Sequence, residues 1–338
     1  MNKQELENEE VRQEEKKTKK KKVRKKKTMF GHIRSIISIL LVVGIIGGSY
    51  WYYAFQYRAE VEPETNRKVT NTDSVYTMEQ YLKTLKRNQT VYKYACDEAE
   101  VDNDYGTYVV PGLKSTRTLK VKGDGEAEVC TSMTPQGLGF TEDYILVSAY
   151  CKTKAHDSVI YVIDKESRRF VKEIVLNTKA HVGGMAYDTM NQILWVTGQG
   201  STWAQANAIT LSHLENYSFD DGYHPIEFDM SYNLYKIKRA SFMTYHDGAL
   251  FVGFFTQDNA SVIEKYLINA DGTLYEKEDM NLKRTVGVTE PVAYAVSMQV
   301  ISGKVQGMAF YNNKILLTRS WGILPSEVQI FNYSRYGI

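Results

Sequence analysis

The chain has 338 residues, 43% of them hydrophobic and 12% aromatic, enough apolar material for a sizeable core, and this excludes a wholly disordered chain. Its net charge of +2 hides a segregation: residues 1–34 carry 13 Lys/Arg and 6 Glu, leaving 29 basic and 34 acidic residues for the rest. A nucleic-acid binder needs a basic patch on its folded domain, whereas here the positive charge sits in a low-complexity tail and the body is mildly acidic.

Residues 35–55 read SIISILLVVGIIGGSYWYYAF, 21 residues without a charge. As a helix this run is about 31 Å long, the thickness of a hydrocarbon core. The Lys-rich run from Lys16 to Lys27 precedes it, and Lys/Arg are retained on the cytoplasmic side. The expectation is therefore a basic cytoplasmic tail over 1–34, a single-pass signal-anchor over 35–55, and a C-terminal body outside the cell. Tyr50, Trp51, Tyr52 and Tyr53 supply an aromatic belt at the outer interface. The apolar run is longer than a signal-peptide h-region and no A-x-A-like site follows it, so it is expected to stay uncleaved. Tail and compact anchor together look bacterial. Residues 56–106 are read as a polar stalk followed by a short amphipathic helix from Met78 to Val91, with Met78, Tyr81, Leu82 and Leu85 on one face and Thr77 as N-cap.

From 107 to 338 the sequence is read as mainly β. Four segments share one template of glycine- or alanine-containing strand, tight polar turn and apolar strand: TPQGLGFTEDYILVSAY, HVGGMAYDTMNQILWVTG, RASFMTYHDGALFVGFF and KVQGMAFYNNKILLTRS, beginning at Thr134, His181, Arg239 and Lys304. Third strands follow from Ser158, Asn207, Ser261 and Glu327, and fourth strands from Arg169 and, more faintly, Pro225. Four-stranded units repeated every 40 to 60 residues or so indicate a β-propeller with four recognisable blades and room for five or more. A β-sandwich also has short strands, but does not require the same unit four times. Because the last unit lacks a fourth strand, the ring is expected to close with a strand from Thr107 to Val121.

These units resemble secreted and surface β-propellers of the broad group containing gluconolactonases and streptogramin lyases. The resemblance implies architecture from about Lys114 to Ile338; no catalytic motif of the group matches residue by residue, and a superfold does not carry its chemistry with it. Strand alternation gathers Gln136, His181, Arg239 and Gln306, with the loops bearing His156, Trp203 and Trp321, at one channel mouth, and sends His246 to the opposite face. The first six of these apart from His156 are the candidate ligand-binding residues: Gln136, His181, Arg239, Gln306, Trp203 and Trp321. They offer amides, one fixed charge and aromatic faces but no paired carboxylates, so no catalytic residue, metal ligand or cofactor is assigned. Cys130 and Cys151 flank one hairpin near its open end, where a disulfide can form outside the cell; free buried thiols are the other reading, and Cys96 is left over. The expected function is a membrane-anchored extracellular binding or scaffold module for a cell-envelope glycan, peptide or protein, with no nucleic-acid partner. The alternative is a metal-dependent lactonase- or lyase-like enzyme acting on a small extracellular molecule.

Overall fold

The computed structural model describes residues 3–51, 113–276 apart from positions 114, 122, 124 and 168, 291–322 and 326–333, with isolated residues between 83 and 89. The chain divides into two compact units, Met1–Glu60 and Val61–Ile338. The first unit contains helix α1 (Lys3–Trp51), whose segment Gly31–Trp51 is long and apolar enough to cross a membrane. That length and composition suit an anchor or a signal sequence. Residues 52–55 of the expected span, the stalk, Cys96 and nearly all of the expected helix from Met78 lie outside the described residues.

Among the described residues, the first strands of the second unit form an antiparallel pair, β1 (Thr116–Leu119) and β2 (Ala127–Cys130). Blade 1 is the sheet β3 (Met133–Phe140), β4 (Tyr144–Cys151), β5 (Val159–Asp164) and β6 (Phe170–Val175), in sequence order. Blade 2 is β7 (Met185–Asp188), β8 (Ile193–Gln199), β9 (Ala204–Thr210) and β10 (Met230–Leu234), with a short helix α2 (Leu211–Asn216) between the last two. Blade 3 contains β11 (Phe242–His246), β12 (Ala249–Gly253) and β13 (Ala260–Leu267); its chain first leaves to lay β14 (Val292–Ala293) parallel to β10, then returns as the outer strand β15 (Ser297–Ser302). Blade 4 is β16 (Val305–Tyr311), β17 (Lys314–Arg319) and β18 (Glu327–Asn332). Inner strands β3, β7, β11 and β16 pack each against the next, so the meanders form the four blades of a β-propeller.

The repeated template explains why these segments make inner hairpins. Asp247-Gly248 and Asn312-Asn313 occupy two-residue turns with positive φ at both positions, the left-handed geometry that Asn, Asp and Gly tolerate and that matches strand twist. Glycine at the strand starts answers a crowding problem. A Cβ on Gly183 would lie 2.4 Å from the Ser241 carbonyl oxygen of blade 3, and one on Gly137 would lie 2.9 Å from the Val182 oxygen of blade 2. A hydroxyl on the second strand then fastens each start. Gly137 N donates to Ser148 Oγ at 2.8 Å and Gly184 N to Thr197 Oγ1 at 3.0 Å, while Thr318 Oγ1 donates to the Gly307 oxygen at 3.4 Å. Blade 3 exchanges the two residue types: Ser241 stands at the strand start and Gly253 on the second strand, where a Cβ would meet the Phe242 ring.

Several sequence expectations need correction. The faint fourth strand at Pro225 is displaced to Met230–Leu234; Ile226 instead bridges in parallel to Leu176 of blade 1 and is buried in the blade 1–blade 2 core. The strand expected to close the ring pairs with β2 as β1 and packs on β6. It covers the face of blade 1 that points away from blade 2: the Thr116 hydroxyl bonds the Tyr161 hydroxyl, and Arg117 Nε meets Glu173 Oε1 at 3.2 Å. Blade 4 therefore has three strands among the described residues. On its outward face Tyr311 is 68% and Ile330 62% exposed, while Ile315 and Leu317 point inward to blade 3 and are buried.

Candidate functional site

At the mouth where the inner strands begin, two glutamines sit on β-bulges. The register slips between Pro135 and Leu138 in β3 and between Val305 and Gly307 in β16, and each bulge turns a glutamine, Gln136 or Gln306, out of the ladder to solvent. Gln136 Nε2 donates to the Pro135 oxygen at 2.9 Å and Gln306 Nε2 to the Ser320 oxygen at 3.4 Å, leaving both side-chain oxygens available. His181 stacks on Tyr150 with ring centroids 3.9 Å apart and planes inclined by 21°. Desolvation of the stacked ring, and then the Lys154 ammonium, hold its imidazole below the usual range, so it is neutral at pH 7. Arg239 is exposed just before β11. Trp321 is 43% exposed, with its ring against Phe255 at 5.4 Å.

The close backbone contacts of Gly137 with Val182, and of Gly183 with Ser241, bring the strand starts carrying Gln136, His181 and Arg239 side by side. Trp203 does not join them. It is 8% exposed and packs edge-on against Tyr235 at 5.3 Å, because the Gly200-to-Trp203 turn folds its indole onto the β10 end of blade 2. Tyr150 and Phe255, the aromatic partners of His181 and Trp321, were not singled out from sequence. Tyr150 was findable, since it lies opposite Thr134 at the end of the first hairpin. His246, on the other face, stacks on Phe310 at 4.0 Å and meets Tyr333 edge-on, joining blades 3 and 4.

A second constellation lies between the β1–β2 hairpin and blade 1. Cys130 ends β2, Cys151 ends β4, and His156 lies in the loop that follows; both thiols are free and buried. The ladder does not pair the two cysteines: Cys151 faces Met133 and Cys130 faces Thr116. They approach because the chain turns at Thr131–Ser132 between the two sheets. Ser132 Oγ lies 3.8 Å from Cys130 Sγ and 3.5 Å from Cys151 Sγ, with Thr153 Oγ1 3.0 Å from Cys151 Sγ. His156 Nδ1 stands 3.5 Å from Cys151 Sγ, while Nε2 meets Glu128 Oε2 at 3.2 Å. The loop is tied to the hairpin by Val121 N to the Ala155 oxygen and Asp157 N to the Leu119 oxygen, both 2.9 Å. Burial acts against ionisation of both thiols. At Cys130 it prevails and pushes the thiol up; at Cys151 the hydrogen bonds of Thr153, Ser132 and His156 outweigh it and pull the thiol down. Such a set can hold a thiophilic cation or close a disulfide.

No family model matches the chain, and no curated protein matches it in sequence. Among solved structures it is similar to Myxococcus xanthus glutaminyl cyclase (TM-score 0.35, 12% identity, 62% of this chain and 78% of that one). It is also similar to Kuenenia stuttgartiensis hydrazine synthase (0.36, 13%, 64% and 55%) and to the WD40 β-propeller domain of Doa1 (0.30, 9%, 65% and 55%). The chain thus spans about half the length of the latter two. Likenesses at this level carry no activity across, and the propeller rests on the strand order itself.

Proposed function

We propose that the chain is a non-enzymatic binding module anchored in the cell membrane, with its basic tail in the cytoplasm and its propeller outside, where the channel mouth recognises a cell-envelope glycan or peptide. The single observation that carries the reading is the pair of bulge-presented glutamines: Gln136 and Gln306 hold exposed amides at the starts of the first and last inner strands. Between them stand the neutral His181 stacked on Tyr150 and the Arg239 guanidinium, and beside them the half-exposed Trp321 ring. Amide donors and acceptors, a fixed cation and flat aromatic faces suit extended polar ligands. Gluconolactonase-like chemistry would want carboxylates converging on a hard cation, and the strand starts supply Gln136, His181, Arg239 and Gln306 instead.

The test is co-sedimentation of the full chain, purified in detergent, with isolated cell-wall sacculi. Arg239→Ala and Trp321→Ala should each weaken retention about tenfold or more with thermal midpoints unchanged, as expected of exposed recognition residues. Unaltered retention in both variants would refute the reading. Protease added to intact cells should remove the propeller; its survival until lysis would contradict the orientation.

A further inference from the structure

We infer that Cys130, Cys151 and His156 form a zinc site that clips the β1–β2 hairpin to blade 1. Their ligand atoms all lie within 4.8 Å of one another. Zinc bonds thiolate sulfur at about 2.3 Å and imidazole nitrogen at about 2.0–2.1 Å, so sulfur and nitrogen on one tetrahedral edge stand about 3.5 Å apart. Cys151 Sγ and His156 Nδ1 are 3.5 Å apart.

The roles of the two ring nitrogens agree with this assignment. Nδ1 points into the thiol pair, whereas Nε2 points out to Glu128 Oε2, whose other carboxylate oxygen accepts from Lys120 Nζ at 3.2 Å. A carboxylate on the far nitrogen of a ligating histidine fixes its tautomer and orientation and raises its basicity. Two sulfurs and one imidazole select a borderline-soft d10 cation over the oxygen-seeking Ca2+ and Mg2+. Ser132 Oγ lies 3.8 Å from the Cys130 sulfur and 3.5 Å from the Cys151 sulfur, and a three-ligand zinc site keeps one position for an exchangeable oxygen ligand. Coordination releases the thiol protons to the buffer and leaves the oxidation state of sulfur unchanged.

The three ligands come from three separate pieces: the end of β2, the end of β4 and the loop before β5. Joining them would hold the hairpin over the outward face of blade 1. None of the residues proposed to bind ligand, Gln136, His181, Arg239, Gln306 or Trp321, belongs to this site, so failure of the binding experiment leaves the zinc titration interpretable and the reverse.

The experiment uses the full chain in detergent with Cys96→Ser, reduced, stripped of metal and titrated with Zn2+ against a chromophoric chelator, with Co2+ as a spectroscopic substitute. The expected results are one bound zinc per chain and a higher thermal midpoint on binding. Co2+ should give the intense visible bands and thiolate charge-transfer absorption of a tetrahedral thiolate site. Cys151→Ser should lose the bound equivalent. Glu128→Gln, at an exposed side chain that leaves the fold intact, should weaken binding about 10- to 100-fold, and this keeps the test decisive if the cysteine variant fails to fold. Any of three results overturns the inference: no stoichiometric zinc on the reduced chain, undiminished binding in Glu128→Gln together with a Co2+ spectrum lacking thiolate bands, or a Cys130–Cys151 disulfide in chain isolated without reductant.

Discussion

The outward faces of the first and last blades begin from similar sequence and end differently. In blade 1 the outward side of β4 and β5 is closed: Val147 and Tyr161 are buried, and the hairpin lays Thr116 and Arg117 over Tyr161 and Glu173. In blade 4 the side of β17 and β18 turned away from blade 3 presents Val328 and Ile330 to solvent beside the exposed Tyr311; by register this is the other face of the blade, since Leu317 answers to Val147. Both blades use the same glycine-hydroxyl fastening at the inner hairpin. What differs is the cover. A blade's inner hairpin is specified within the blade, whereas the burial of its outward side depends on a segment outside the blade, and stability should follow that cover from blade to blade.

The largest effect is expected where the cover is tightest. Tyr161→Ala empties a fully buried site under the hairpin and should cost about 3–5 kcal/mol, read as a fall in the denaturation midpoint of the full chain. Next comes Arg117→Ala. It leaves the Glu173 carboxyl, which burial already pushes above the usual carboxylate range, without its nearest cation, and should cost about 3 kcal/mol. Arg117→Met with Glu173→Gln should recover part of that loss, since no charge is then buried at Glu173, while the half-exposed Asp220, which Arg117 also meets at 2.7 Å, loses its guanidinium in both variants.

At the blade 3–blade 4 junction a pH effect is expected. Burial of the His246 ring, stacked on Phe310, lowers its pKa from 6.5; Asp247 opposes this and Lys265 reinforces it. A base with a depressed folded pKa contributes stability present above its unfolded value and lost as pH falls through the folded one. Thermal midpoints should therefore decline below about pH 6.5, and His246→Phe should flatten that decline. The smallest effect belongs to the uncovered face: Ile330→Ala should change stability by less than about 0.5 kcal/mol. A large loss there would show that something covers blade 4 after all.

Much of this arrangement was legible in the sequence, because the inner hairpins carry their own signals. Gly137, Gly184 and Gly307, the Asp247-Gly248 and Asn312-Asn313 turns and the apolar second strands recur at matching offsets. The outer strands carry no such signal. Met230–Leu234 is short and half polar, Ser297–Ser302 exposes Met298 and Val300, and neither alternates in a way that distinguishes strand from loop. The pairing of β1 with β2 is a choice between partners at different sequence distances, which composition does not decide. At the mouth, strand direction located Gln136, His181, Arg239 and Gln306 but did not reveal that Trp203 folds inward, since burial of a loop indole depends on Tyr235 across the blade. The place of the two cysteines at the open end of one hairpin is legible in the sequence, whereas the approach of His156 is not, because the turn that brings Cys130 to it joins a different sheet.

The most direct measurement is hydrogen–deuterium exchange on the full chain in detergent, with and without solubilised cell-wall fragments. Added fragments should slow exchange at the strand starts bearing Gln136, His181, Arg239 and Gln306 and in the loop bearing Trp321, leaving β17 and β18 unchanged. Protection confined to β17 and β18, or no protection anywhere, would contradict recognition at the channel mouth.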